Sequence, residues 1–264
     1  MRRRTMDDVI EVSATPPLAT LWLNRPEKHN AFDDKLIAAL SDALDELAAR
    51  DDVRVLMLAG RGPSFCAGGD LAWMQKSVAY SEEENLADAR ALAQMMHKLY
   101  RFPKPVIGLA HGAVFGGGVG LAACCDVVVA SQTARFCLSE TRLGLIPSVI
   151  APYVLEKIGS SAARRYFLGA EAFSAGVAQE LGLVHEVVDE LEVEETATRL
   201  AELFARNGPS AMREAKALIR DAANRPIDDA LREDTARRIA RIRVGEEGQE
   251  GLAAFLEKRA PRWR

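Results

Sequence analysis

Short apolar runs punctuate the first half of the chain and predict the strands of a sheet. Residues 8–14 alternate between apolar and polar side chains, and residues 18–23 follow the Pro16-Pro17 turn, so the two segments predict a strand pair. Three further runs are almost entirely apolar, as strands buried on both faces should be. These three runs cover residues 53–59, 106–110 and 127–130.

Helical periodicity fills the intervals between these strands. Leucines at helical spacing predict a helix over residues 33–50. Ser81 and Glu84 have the spacing of a capping box, which predicts the start of a longer helix over residues 81–101. Two shorter helices are also expected, one beginning near Asp70 and one over residues 117–124.

Helices dominate from residue 149 onward. Within residues 173–188 the pattern predicts a short helix, a stop at Gly182 and a strand over 183–188. The remaining predicted helices cover residues 191–206, 209–223, 226–243 and 245–259. Because strands and helices alternate first and helices follow, we predict an α/β core at residues 1–195 and a helical region at residues 196–264.

Composition and charge exclude several classes of protein. The chain has 264 residues and a formal net charge of −4, which disfavours a general nucleic-acid binder. No run approaches the ~18 apolar residues that a membrane span needs. The basic N-terminus MRRRTMDD has no apolar run behind it, so we expect no secretory signal and a cytoplasmic protein. The four cysteines form no CxxC pair, so neither a metal site nor a disulfide framework is expected.

Two glycine-rich turns are the first candidates for chemistry. The segments at 65–70 and 115–118 each lead into the start of a predicted helix. Main-chain amides at a helix N-terminus lack internal partners and lie at the positive end of the helix dipole. Two such amides aimed at one point could bind a developing oxyanion. Each turn alone is also compatible with an ordinary tight turn, and neither matches a dinucleotide-binding or Walker pattern.

Five motifs occur in a fixed order: LNRPEKHNAF, FCAGGDL, KPVIGLAHGAVFGGGVGLAACCDVVVAS, ARFCLSETRLGLIP and EEGQEGLAAFLEKRAPRW. With these motifs the chain resembles the enoyl-CoA hydratase/isomerase (crotonase) family from Leu23 to Trp263. The resemblance implies a crotonase-like spiral of ββα units with a C-terminal helical trimerisation region. It also implies an acyl-CoA thioester substrate, no separate cofactor or metal, and a homotrimer or dimer of trimers.

The resemblance also implies site residues. The amides of Gly69 and Gly117 would hold the thioester carbonyl, and Glu140 would be the acid/base. Residues implied at the substrate or its coenzyme A portion are Lys28, His29, Ala31, Ala67, Gly68, Asp70, Leu71, Gly116, Gly120, Phe255 and Lys258. For Lys28 and Lys258 an ordinary solvated surface lysine remains the alternative.

Glu140 follows Leu138, and an apolar setting would raise the pKa of its carboxyl toward the range of a general acid/base. The alternative for Glu140 is an exposed side chain or an ion pair with Arg142. Family hydratases carry a first glutamate where this chain has Gly120, which lies on the same helix face as Gly117. Gly120 is interpreted as space for a larger or branched acyl chain; close packing or weakened catalysis is the alternative.

A closer resemblance is to the bacterial methylglutaconyl-CoA and carboxygeranoyl-CoA hydratases, whose substrates are branched and carry a carboxylate. We therefore expect hydration of a branched 2-enoyl-CoA such as 3-methylglutaconyl-CoA, with Arg142, His111 and Arg164 as candidate partners of the substrate carboxylate. A Δ3-Δ2 enoyl-CoA isomerase is the second hypothesis. An acyl-CoA-binding protein with vestigial catalysis is the third.

Overall fold

The computed structural model describes residues 9–264. The expectation that the N-terminus is not a secretory signal falls on residues 1–8 and lies outside these described residues. Over the described range the predicted α/β architecture is confirmed, with strands and helices alternating up to β9 and helices alone after it. No helix within residues 9–264 is both long and apolar enough to cross a membrane.

A six-stranded sheet forms the centre of the described chain. Its strands are β1 (Ile10–Thr15), β2 (Leu18–Leu23), β3 (Val55–Gly60), β4 (Val106–Ala110), β6 (Val127–Ser131) and β9 (Glu186–Val188), in the order β1-β2-β3-β4-β6-β9. Strands β1 and β2 pair antiparallel across the prolines, and every other pair is parallel. The parallel strands are the near-continuous apolar runs of the sequence, which are buried on both faces.

The structure also contains a three-stranded sheet that the hydrophobic pattern of the sequence did not predict. Its strands are β5 (Ala113–Phe115), β7 (Arg135–Cys137) and β8 (Phe173–Ser174), in the order β5-β7-β8. Two or three residues are too few to show the alternation by which a strand is recognised in sequence. This small sheet leads directly into two segments of the candidate site, since β5 precedes the glycine triplet and β7 precedes Glu140.

Ten α-helices lie in the described chain. They are α1 (Asp34–Ala48), α2 (Leu71–Ser77), α3 (Glu82–Tyr100), α4 (Gly117–Cys124), α5 (Ala151–Gly169), α6 (Ala175–Glu180), α7 (Val193–Ala205), α8 (Pro209–Ala222), α9 (Asp229–Val244) and α10 (Glu246–Leu256). Three short 3-10 turns cover Pro26–Lys28, Glu140–Leu143 and Glu190–Glu192. The predicted capping box is confirmed, because the Ser81 hydroxyl accepts from the Glu84 amide and the Glu84 carboxylate accepts from the Ser81 amide.

The two faces of the sheet carry separate apolar layers. Successive side chains of a strand point to opposite faces, so Leu56 and Leu58 of β3 pack in the larger core with α1, α3 and α4. Val55, Met57 and Ala59 point to the other face, where buried residues of α7 cover them. The boundary expected between residues 195 and 196 therefore falls inside a helix that packs on the sheet.

The strand predicted over residues 183–188 is shorter in the structure. Gly182 has a φ of +82°, which ends the turn after α6 as the sequence indicated. Leu183 and Val184 are buried in the core before the strand begins, and pairing with β6 covers only residues 186–188. The apolar residues Leu183 and Val184 are therefore apolar because they are buried in the core. Strand pairing begins only at Glu186, where the backbone reaches the edge of the sheet.

Candidate active site

The two glycine-rich turns contact each other through the main chain. Cys66 lies beside Val114 as a parallel bridge: the Cys66 amide donates to Ala113 O (3.1 Å) and the Phe115 amide donates to Cys66 O (2.9 Å). Gly118 lies directly against this bridge, where an added Cβ would stand 2.2 Å from Cys66 O. Any larger residue at position 118 would push the two turns apart, so glycine is required by the close approach.

The turn at 65–70 is also held from its other side. The Phe32 amide donates to Gly68 O (2.7 Å), and the Asp70 amide donates to Phe32 O (2.8 Å). Gly69 lies between these two bonds and its own amide donates to no main-chain carbonyl in the described chain. The same holds for the amide of Gly117, the first residue of α4, as expected at a helix N-terminus.

Glu140 begins the 3-10 turn that follows β7. This turn is drawn toward the glycine triplet, because the Gly116 amide donates to Cys137 O (2.8 Å). A Cβ built on Gly116 would lie 3.2 Å from Glu140 Oε1, so the carboxyl lies against the triplet itself. The Glu140 side chain is half-buried, and its Oε2 is buried without a hydrogen-bond partner in the described chain.

Burial raises the pKa of the Glu140 carboxyl above its ordinary value. Arg142 does not offset this shift, since its side chain is exposed and no Glu140–Arg142 ion pair is formed in the described chain. The alternatives of an exposed glutamate and of an arginine-paired one are therefore both excluded. A half-buried carboxyl without an ion-pair partner holds its proton more readily than an exposed one, which suits it to accept a proton and return it.

A cleft of about 410 Å³ brings these groups together. Gly69, Gly117 and Glu140 all lie in its wall, and within the described chain Glu140 is its sole ionisable lining residue. The rest of the wall is mainly apolar and comes from Phe32, the two glycine-rich turns, α2, α3 and the segment from residue 139 to residue 150. These residues are Phe32, Ala67, Gly68, Leu71, Trp73, Met74, Leu92, Gly116, Ser139, Leu143, Leu145, Ile146, Pro147, Ser148, Val149 and Ile150.

Comparison with known proteins identifies the class of this site. Residues 15–264 match the family described as enoyl-CoA hydratase/isomerase. The chain belongs to this family. A solved enoyl-CoA hydratase from Shewanella pealeana is 43% identical, with a TM-score of 0.95 over 98% of this chain and 97% of that one, so the crotonase fold expected from the sequence is confirmed. The protein is accordingly an enzyme of the enoyl-CoA hydratase/isomerase type.

Relatives of equal similarity carry out different reactions. The 2,3-dehydroadipyl-CoA hydratase of Escherichia coli (strain K12) is 33% identical over 95% of this chain and 96% of its own length. The 1,2-epoxyphenylacetyl-CoA isomerase of the same organism is also 33% identical, over 92% of this chain and 94% of its own. Overall sequence identity therefore identifies the hydratase/isomerase family but does not distinguish between its reactions. The individual reaction depends on the residues that line the cleft.

Four residues expected near the substrate lie in the cleft of this hydratase/isomerase: Ala67, Gly68, Leu71 and Gly116. Others lie beside it. Ala31 is buried behind the turn, His29 bonds to the Ser64 hydroxyl through Nδ1 (3.0 Å), and Lys28 is half-exposed. Phe255 and Lys258 are exposed near the end of α10, away from the cleft lining.

Asp70 has a role that the sequence analysis missed. Its carboxylate caps α2 by accepting from the Ala72 amide (2.8 Å) and is 3.0 Å from the Arg25 guanidinium. Burial alone would raise the pKa of Asp70. The amides of Ala72 and Trp73 and the positive charges of Lys28 and Arg25 together lower that pKa. Because Arg25 also pairs with Asp33 (2.9 Å), it joins the segment before α1 to the turn that carries Gly69.

The interpretation of Gly120 as open space is corrected by the structure. Gly120 is buried and does not line the cleft; a Cβ on it would stand 2.2 Å from Ile150 Cγ2. The proposed partners of a substrate carboxylate are also not brought to the cleft. His111 bonds to Gly62 O (2.9 Å), while Arg142 and Arg164 are exposed, and none of the three lines the wall. Arg142 follows Glu140 by two residues in sequence, but the 3-10 turn leaves its side chain exposed.

Replacement of Glu140 by glutamine should stabilise the fold at neutral pH. The raised pKa means that the folded protein binds the carboxyl proton more tightly than the unfolded chain does. Wild-type stability relative to Glu140→Gln should thus fall as the pH rises above the ordinary pKa of a glutamate, and the gap should close in acid. Thermal unfolding of both proteins across pH 4–8 measures this. A Glu180→Gln control, at an exposed carboxylate, should show no such trend.

Replacement of Arg25 by methionine should destabilise the protein by about 3 kcal/mol, because it leaves the buried Asp70 carboxylate without its nearest cation. Urea unfolding is the measurement. The control is Arg165→Met, which removes an exposed pair with Glu171 and should cost less than about 1 kcal/mol. Equal losses in the two variants would contradict a structural role for the Arg25 pair.

Proposed function

We propose that this enzyme hydrates a branched 2-enoyl-CoA reversibly, with 3-methylglutaconyl-CoA as the favoured substrate. The observation that carries the proposal is one carboxyl, Glu140, set with a raised pKa against two unbonded glycine amides in an apolar cleft. The amides of Gly69 and Gly117 would hold the thioester oxygen. Such donors act where negative charge develops, so they lower the barrier to forming an enolate.

One carboxyl is sufficient for both proton transfers of hydration. The Glu140 carboxylate takes a proton from water as the water oxygen bonds to C3 of the enoyl group. The C2–C3 π electrons then move onto the thioester, and the enolate oxygen is held by the amides of Gly69 and Gly117. The newly protonated Glu140 returns its proton to C2, which gives the 3-hydroxyacyl-CoA and restores the carboxylate. The net change is addition of one water, and every step is reversible.

The branched part of the substrate is supported by resemblance and by the apolar character of the cleft, and its distal carboxylate is supported by resemblance. The motifs around Glu140 resemble hydratases of branched, carboxylate-bearing acyl-CoAs, and the E. coli dehydroadipyl-CoA hydratase acts on a substrate whose name specifies a second acid group. No cation lines the cleft within the described chain. A distal carboxylate would therefore project to the solvated mouth, near the exposed Leu143, Leu145 and Ile146, and only the branch would be enclosed.

Isomerisation is the second candidate, because a single carboxyl also suffices to move a proton between C2 and C4 of a 3-enoyl-CoA. The absence of a second carboxylate in the described cleft is the observation that favours it. The third hypothesis is binding without turnover. It would not explain why Glu140 is partly buried with no partner for its Oε2 atom. That burial is destabilising, and groups kept at such a cost are concentrated at functional sites.

A substrate panel distinguishes the three. Crotonyl-, 3-methylcrotonyl-, 3-methylglutaconyl- and 3-enoyl-CoA are incubated with the protein, and products are followed by mass and absorbance. We expect addition of one water, fastest with 3-methylglutaconyl-CoA. Conversion of 3-enoyl-CoA at unchanged mass, with no hydration, would establish an isomerase instead. If 3-methylcrotonyl-CoA reacts as fast as 3-methylglutaconyl-CoA, the enzyme does not recognise the distal carboxylate. The proposal of 3-methylglutaconyl-CoA as the favoured substrate would then be wrong, and hydration of a branched 2-enoyl-CoA would remain.

Glu140→Gln should lower the rate of hydration at least ~100-fold, the usual contribution of a general acid/base. The binding constant for a saturated acyl-CoA should change little, because the amides of Gly69 and Gly117 remain. Glu180→Gln serves again as the matched control and should retain the wild-type rate. Retained activity in Glu140→Gln would remove this residue from the mechanism.

A further inference from the structure

Ile150 occupies the place that a side chain at position 120 would need. Its Cγ2 and Cβ would stand 2.2 Å and 2.8 Å from a Cβ built on Gly120, and Met96 Cε follows at 3.3 Å. Ile150 is 3% exposed, and its small exposed part belongs to the cleft wall that also holds Glu140. The side chain thus packs on the bare backbone of α4 on one side and forms part of the cleft on the other.

Position 120 lies one helical turn beyond the Gly117 amide. Three residues of α-helix advance about 4.5 Å along the axis, on nearly the same face. An acyl chain whose carbonyl is held at Gly117 extends by a similar length from C1 to about C4. Ile150 therefore stands at the depth that C3 and C4 of the acyl chain would reach, although it belongs to the segment before α5.

The Ile150 wall is stiff and apolar. A β-branched side chain is restricted about χ1, and Ile150 packs on Gly120 within the buried core, so it has little room to move aside. Such a wall favours a methyl branch at C3, which it can contact, and obstructs a straight chain that would have to pass it. Because protein interiors are close-packed, even one methylene of extra space should be felt by the bound chain.

We infer that Ile150, packed on Gly120, determines the acyl-chain specificity of this enzyme by admitting short 3-branched chains and rejecting longer straight ones. This inference rests on the proposed function only in placing the thioester at Gly69 and Gly117. Ile150 is a specificity-determining residue and has no part in proton transfer. Gly120 stands where family hydratases carry a glutamate, and Ile150 occupies the space that such a side chain would need. The two residues would then shape the acyl-chain site together.

Binding of unreactive acyl-CoAs tests the inference independently of the reaction. Dissociation constants of 3-methylbutyryl-CoA and hexanoyl-CoA are measured by calorimetry for wild type, Ile150→Val and Ile150→Ala. Wild type should prefer the branched ligand. In Ile150→Val the ratio of the two constants should shift about 4-fold toward hexanoyl-CoA, the value of one methylene, and it should shift further in Ile150→Ala.

The matched control is Ile158→Val, which makes the same change at a buried position of α5 that does not line the cleft. It should leave the ratio unchanged. An unchanged ratio in Ile150→Val, or an equal shift in Ile158→Val, would overturn the inference while leaving the proposed function intact. Failure of wild type to bind either ligand would overturn the proposed function and this inference with it. If Ile150→Ala does not fold, the valine variant still decides.

A double-mutant cycle tests the packing itself. Gly120→Ala alone should lower the thermal unfolding midpoint, because its Cβ meets Ile150. Combined with Ile150→Ala, which removes Cγ2, the same substitution should cost less than it does in wild type. Additive losses would show that positions 120 and 150 are independent and would contradict the inference.

Discussion

Main-chain contact between the two glycine-rich turns is the constraint on which the site depends. The Cys66 bridge to β5 brings the turn at 65–70 against the triplet, and Gly118 allows it only because it has no side chain. The same bridge joins the two turns through main-chain hydrogen bonds. Once the two turns are in contact, the backbone sets the positions of the Gly69 and Gly117 amides. The side chains around these amides then form the wall of the cleft.

The surroundings divide the electrostatics of the site into two parts. On the side behind Gly69, Arg25 forms ion pairs with both Asp33 and Asp70, so the buried Asp70 carboxylate has a cationic partner. On the side of the cleft, Glu140 is left without a partner, and its burial raises its pKa. A paired carboxylate fixes geometry, whereas an unpaired one retains the freedom to exchange a proton. The two acidic groups therefore serve opposite purposes within one constellation.

Sequence alone predicted what local pattern encodes. The glycine turns, most strands of the main sheet and the Ser81 cap depend on neighbours within a few residues, whereas Glu140 was singled out by the family resemblance. The contacts that escaped prediction join distant segments. Arg25 meets Asp70 across 45 residues, and Ile150 fills the space beside Gly120 from a segment whose apolar pattern fits many kinds of packing. Arg142 follows Glu140 by only two residues, yet it is exposed and does not line the cleft, because neighbouring residues of a short turn point in different directions.

The site is encoded by two unlike kinds of information. Its proposed oxyanion donors are main-chain N–H groups, which every residue except proline possesses. Substitution by any residue other than proline therefore cannot delete them and can only displace them by crowding. Its proposed proton carrier is a single side chain and can be lost in one step. Affinity for thioesters should accordingly outlast turnover as the sequence drifts. A lineage descending from this chain would more readily become a non-catalytic acyl-CoA receptor than a catalyst of unrelated esters.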